Sequence, residues 1–227
     1  MRFEPHPSET ARAASKAIMD AIDFEKKKGL GLSEKEDKVR RFILESFPLL
    51  GRAPTVEEAS VAAKIPVDET ASIFEHLNDQ DIIYLKPGTH QIKGAYPFSN
   101  TATPHRVTIE GQGSCFAMCA VDALGAAFMF NSDTTIDSSC AQCGRKVHIE
   151  IKDGAILAKK EPMAVVWAGT KRCGPAATSI CRTLLFMCTP EHLEKWRTEN
   201  PGEGAALTLA EGLYVGRSVF KDFLRSL

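Results

Sequence analysis

The chain has 227 residues, enough for one domain of ordinary size plus a smaller one. Its 28 Lys and Arg against 29 Asp and Glu give a formal charge of -1, so no global basic field recruits nucleic acid or an anionic membrane. The start, "MRFEPHPSETARAASK", lacks a secretory pattern, and no apolar run reaches the roughly 18 residues of a membrane span, so a cytoplasmic protein is expected.

Residues Ser8 to Lys28 carry apolar side chains at near-helical spacing; "GLGLSE" breaks the pattern, and Glu34 to Phe47 resumes it. Thr55 before Glu57 and Glu58 predicts a helix N-cap, Pro66 is expected to end that helix, and Val67 to Asn78 predicts another with Ile73, Phe74 and Leu77 inward. "DIIYLKPGTHQIKG" then predicts a hairpin around Pro87 and Gly88. That order resembles a winged helix, a common DNA reader. The candidate recognition helix, "VDETASIFEHLNDQ", has four carboxylates and no Lys or Arg, so it would repel phosphates, and a structural or docking module is expected.

Pro97 and Pro104 mark a linker, dividing a helical module at 1–95 from a second domain at 96–227. In the latter, "HRVTIE", "KVHIEIKDGAIL", "MAVVWAG" and "CRTLLFMC" predict strands. "CAVDALGAAFMF", "TPEHLEKWRTEN" and "LAEGLYVGRSVFKDFLRSL" predict helices. The fold class expected is α+β, a winged-helix-like N-terminal module followed by a mixed domain with a small β-sheet.

All seven cysteines, at 115, 119, 140, 143, 173, 181 and 188, lie in the second half. In a reducing compartment such clustering favours metal or thiol chemistry over disulfides. If "CAVDALGAAFMF" is a helix, Cys119 and Asp122 share a face at i and i+3, and Cys115 at i−4 could join them. A cysteine at a helix N-terminus is expected to have a lowered pKa, because the free N–H groups and the dipole stabilise a thiolate. A carboxylate on the apolar face needs a partner or a chemical role.

A second pattern uses the same residues. Cys115 and Cys119, then Cys140 and Cys143, give C-x3-C, twenty intervening residues and C-x2-C, close to four-thiolate zinc spacing. "SSCAQCGRKV" by itself resembles a zinc knuckle, with Gly144 allowing the turn. A non-catalytic zinc or soft-metal protein is the alternative reading, and the spacing leaves it open beside a nucleophilic site.

From about Gly51 onward the residues resemble the organomercurial (alkylmercury) lyases. "NTATPHRVTIEG" resembles that family's Thr-Pro-His strand, "CAVDAL" its Cys-Ala-Leu-Asp-Thr-Leu motif and "SSCA" its Ser-x-Cys-Ala segment. "SIC", with Trp196 fifteen residues after Cys181, resembles the family's Ser-Phe-Cys strand and the tryptophan that follows.

The resemblance implies that Cys119 and Cys181 are the catalytic cysteines, that Asp122 is the catalytic carboxylate, with all three around the Hg(II) product, and that Cys140 is structural. It implies no organic cofactor, an exogenous thiol for product release, and a mercuric reductase or small thiol as Hg(II) acceptor. Thiolates suit soft mercury, and a carboxyl raised in pKa by apolar neighbours such as Phe116 and Leu124 suits proton transfer to carbon. An apolar pocket would accept alkyl and aryl groups alike. Cys115, Cys143, Cys173 and Cys188 depart from the family pattern; Cys115 and Cys173, the latter in the "RCGPAAT" loop, are possible auxiliary thiols.

Overall fold

The computed structural model describes residues 7–157, 163–170 and 181–225. Cys173 and the rest of the "RCGPAAT" loop lie outside these residues.

The N-terminal helices form where polar caps and apolar spacing agree. Helix α1 (Glu9–Ala21) begins at Ser8, whose hydroxyl accepts from the Ala11 amide and donates to Glu211. A short α2 (Phe24–Lys27) follows. Helix α3 (Glu34–Leu50) opens with a reciprocal Ser33–Glu36 capping box and stops at Gly51, whose φ of +66° is the left-handed geometry that glycine adopts without strain. Helix α4 (Val56–Ala63) has the expected Thr55 cap, completed by Glu58, a device worth about 1 kcal/mol. Pro66 does not terminate α4, which ends at a left-handed Lys64; it stands instead at the N-cap of α5 (Val67–Asp79), its carbonyl accepting from the Thr70 amide. Ile73, Phe74 and Leu77 are buried on α5, as their spacing requires.

Strands β1 (Ile83–Leu85) and β2 (Ile92–Ala95) make the expected hairpin, with Gly88 at φ +70° in the turn. The hairpin does not stand alone. Strand β2 pairs with β3 (Phe98–Ser99), which pairs with β5 (Gly113–Ala117). The sheet continues through β4 (His105–Ile109), β6 (Thr134–Ser139), β7 (Lys146–Lys152) and β8 (Ala155–Ile156), giving eight antiparallel strands in the order β1-β2-β3-β5-β4-β6-β7-β8. A second antiparallel sheet places β9 (Val165–Gly169) between β10 (Leu184–Met187) and β11 (Gly204–Thr208).

The remaining helices are α6 (Ala120–Phe130), α7 (Pro190–Glu199) and α8 (Leu209–Phe220). Helix α6 is buried almost all round, which explains its lack of a polar face: it packs against the large sheet, β10 and α8. Its crossing with α8 is close because both helices present glycine. A Cβ on Gly216 would lie 2.8 Å from the Gly125 backbone nitrogen, and one on Gly125 would lie 2.0 Å from the Phe220 ring. One hydrophobic core runs from α1 to α8, an α+β arrangement. Among the described residues no helix is long and apolar enough to cross a membrane.

Three expectations are corrected. "GSCFA" is strand β5, so Cys115 does not share the helix face of Cys119 and Asp122 that its i−4 spacing allowed. Cys119 is the extended N-cap of α6, outside the helix proper. Cys181 stands in a 3₁₀ turn (Cys181–Thr183) that leads into β10, not in the strand itself.

Candidate functional site

The strand-to-helix junction between β5 and α6 builds half of the site. Cys119, at φ −151°, turns its side chain over the first turn of α6, and its sulfur accepts from the Asp122 amide at 3.4 Å. A cysteine here does the work usually given to Ser or Asp at an N-cap. Asp122, three residues on, therefore projects beside the same sulfur. The other half comes from the turn before β10, which packs against α6: Cys181 donates its S–H to Asp122 Oδ2 at 3.5 Å. The two sulfurs and a carboxylate oxygen of Asp122 all lie within 4.8 Å of one another.

Burial governs the electrostatics. Cys119 and Asp122 are wholly buried and Cys181 is 4% exposed. Asp122 is pushed up from 3.8 to about 7, because an ionised carboxylate loses its hydration there; polar contacts from Cys119, Tyr96 and Cys181 resist the shift without cancelling it. The thiols respond differently from the helix-dipole expectation. Cys119 is raised well above an ordinary thiol, first by burial, then by Cys181 and the Asp122 charge. For Cys181 the contact with Cys119 pulls the pKa down, but burial and Asp122 outweigh it and the net direction is up. Half a charge of helix dipole does not offset complete desolvation beside a carboxylate. The resting site holds two neutral thiols and a carboxyl poised near neutrality.

Two further groups were not marked by the sequence. Tyr96, also buried, faces Asp122, and burial followed by the Asp122 charge raises its phenol well above 10. Neither the Tyr96 hydroxyl nor Asp122 Oδ1 completes a hydrogen bond in good geometry among the described residues. Lys27 of α2 is buried to 3% exposure, pairs with Asp81 at 2.8 Å, and places its ammonium 5.9 Å from the Tyr96 ring centroid. Burial lowers its pKa, Asp81 opposes that, and its charge helps draw Cys181 down. No spacing rule links Lys27 or Tyr96 to Cys181, 154 and 85 residues further on; only tertiary packing does.

The remaining thiols separate from this site. Cys115 is buried in β5, opposite Val107 of β4, and burial pushes it up to about 12. It behaves as a small core residue and belongs to neither cluster of metal-ligating groups. The four-thiolate set expected from C-x3-C and C-x2-C spacing is not assembled: Cys119 joins Asp122 and Cys181, whereas Cys140 and Cys143 join Cys188 and His192. Trp196 packs on Trp167 of β9 with ring centroids 6.1 Å apart, and so supports the sheet that carries β10.

Comparison with known proteins addresses the family and the fold. The model of the MerB alkylmercury lyase family matches residues 98–221. Proteins named alkylmercury lyase from Bacillus cereus and Clostridium butyricum are each 24% identical over 168 residues, 74% of this chain and 74% of theirs. One from Staphylococcus epidermidis is 22% identical over 163 residues, 71% of this chain and 72% of its own. The crystal structure of the mercury-bound form of MerB2 superposes with a TM-score of 0.70 at 22% identity, covering 96% of this chain and all of the other, which establishes a shared fold.

Proposed function

Because the chain belongs to the alkylmercury lyase family, we propose that its buried thiol pair captures an organomercury cation, R–Hg⁺, and that Asp122 delivers the proton that breaks the carbon–mercury bond. The observation that carries this reading is the approach of two sulfurs and one carboxyl within 4.8 Å in a water-poor core. Thiolates hold a soft metal better than oxygen or nitrogen donors. With metal–sulfur bonds of roughly 2.3 Å or slightly longer, opposed sulfurs about 4.6 Å apart or a little more can share one ion.

The protons can be followed. One cysteine binds R–Hg⁺ as its thiol proton leaves. Asp122, as carboxylate, then takes the proton of the second thiol; Cys181 is already aligned for this, donating to Oδ2. The second thiolate bonds to mercury and increases electron density on the attached carbon. Asp122 returns its proton to that carbon as the Hg–C bond breaks, giving R–H and Hg²⁺ held by two thiolates. Two thiol protons are consumed, one appearing in the hydrocarbon and one in solution, so charge and atoms balance. A pKa of about 7 suits Asp122 to both halves of the relay near neutral pH. Exogenous thiol or a mercuric reductase then accepts the ion, and no organic cofactor takes part.

The test is headspace analysis of methane from methylmercury, or benzene from phenylmercury, with excess thiol. Cys119→Ser, Cys181→Ser and Asp122→Ala should each abolish release while circular dichroism remains native. Stoichiometric retention of organomercury by the unsubstituted protein without hydrocarbon release would identify a binder instead.

A further inference from the structure

We propose that Cys140, Cys143, Cys188 and His192 form a closed, structural zinc site separate from the thiol pair. These four side chains come from two distant parts of the chain. Cys140 and Cys143 sit in the turn between β6 and β7, and Cys188 and His192 flank the junction of β10 and α7. Their ligand atoms all lie within 4.8 Å of one another. Cys143 Sγ is 3.8 Å from Cys188 Sγ, and His192 Nδ1 is 3.7 Å from Cys140 Sγ and 3.2 Å from Cys188 Sγ.

Tetrahedral zinc, with Zn–S near 2.3 Å and Zn–N of about 2.0–2.1 Å, spaces its ligands about 3.8 Å apart for sulfur pairs and about 3.6 Å for sulfur–nitrogen pairs. The 3.8 Å Cys143–Cys188 and 3.7 Å Cys140–His192 separations match that frame, and the 3.2 Å Cys188–His192 edge is somewhat short. Three sulfurs and one imidazole complete four-coordination from the protein alone. A site without an open position is structural rather than catalytic.

The local backbone is built for a metal-bound thiolate. In Cys140-Ala-Gln-Cys143-Gly144, the Gly144 amide donates to the Cys140 carbonyl at 2.9 Å and the Cys140 amide to the Arg145 carbonyl at 2.8 Å, with Gly144 at φ +72° closing the knuckle. Amides of Gln142, Cys143 and Cys188 approach Cys140 Sγ, as they do around a metal-bound sulfur. In the other half, Thr189 caps α7 by accepting from the His192 amide, which fixes His192 in the first turn, four residues after Cys188. The Ala141 amide donates to the Phe186 carbonyl at 2.9 Å, so the knuckle already docks on β10. Zinc there would tie the large sheet to the small one through the strand whose leading turn holds Cys181.

The test is metal analysis of the full chain purified under reducing conditions without chelator. About one zinc per chain is expected, together with a tetrahedral thiolate–cobalt spectrum when the protein is produced in cobalt medium. Cys143→Ser and Cys188→Ser should each lose most of the metal, with a lower melting temperature, whereas Cys119→Ser and Cys181→Ser should keep it. Zinc below about a tenth of an equivalent with no tetrahedral cobalt signal would overturn the proposal. So would full retention in the Cys143→Ser, Cys188→Ser double variant, or loss in Cys119→Ser. Because metal content is read without any organomercurial, the outcome is independent of whether the protein is a lyase.

Discussion

Replacing Asp122 by Asn should make the protein more stable, and increasingly so as pH rises. The native carboxyl keeps its proton up to about 7, whereas in the unfolded chain it ionises near 3.8. Between those values the native state binds more protons than the unfolded one, so stability falls as pH rises. At about 1.4 kcal/mol per pH unit, the whole interval corresponds to about 4 kcal/mol, complete above the native pKa and absent below the unfolded one. The amide has nearly the shape of the neutral carboxyl and does not titrate, so the variant escapes the loss. Urea unfolding of both proteins at pH 5 and pH 8, under reducing conditions, should show the stability difference growing by about 2–3 kcal/mol in favour of Asp122→Asn. All titrations common to the two proteins cancel in that comparison. A difference that stays flat across the range would refute the argument that burial holds this carboxyl protonated.

Tyr96→Phe removes a hydroxyl that favours the ionised form of Asp122. The acidic limb of the pH–rate profile for hydrocarbon release should move up by about 0.5–1 pH unit with little change in melting temperature; an unmoved limb would remove Tyr96 from the site. Gly216→Ala puts a methyl group against the Gly125 backbone and forces α6 and α8 apart. A destabilisation of about 1–3 kcal/mol is expected in thermal or denaturant unfolding, and a neutral result would contradict the close crossing.

Legibility in the sequence followed the range of the interactions. Thr55 and Glu58 cap within four residues, Ile73, Phe74 and Leu77 repeat within two turns, and the alternation in "KVHIEIK" covers seven, so these elements could be read directly. The passage from β5 to α6 was hidden because no glycine or proline separates "GSCFA" from "AVDAL", and Cys119 is an unusual N-cap. Strand β11, "GAALT", has little intrinsic β preference and exists through its pairing with β9. The pairing of Cys119 with Asp122 was visible as a local spacing, and Cys181 could be added only by family resemblance. Sequence proximity misled for the zinc-like pattern: Cys115 and Cys119 are adjacent to Cys140 in order, yet Cys188 and His192 are adjacent to it in space.

Burial of the thiol pair also determines what the protein ignores. Peroxide and alkylating reagents attack thiolates that they can reach, and Cys119 and Cys181 offer neither ionisation nor access at rest. Among the described cysteines Cys143 is the exposed one. Two sulfurs close enough to share one ion are thereby shielded from small oxidants, and under the proposed function a soft cation would engage them only by reaching the buried pair and displacing its protons.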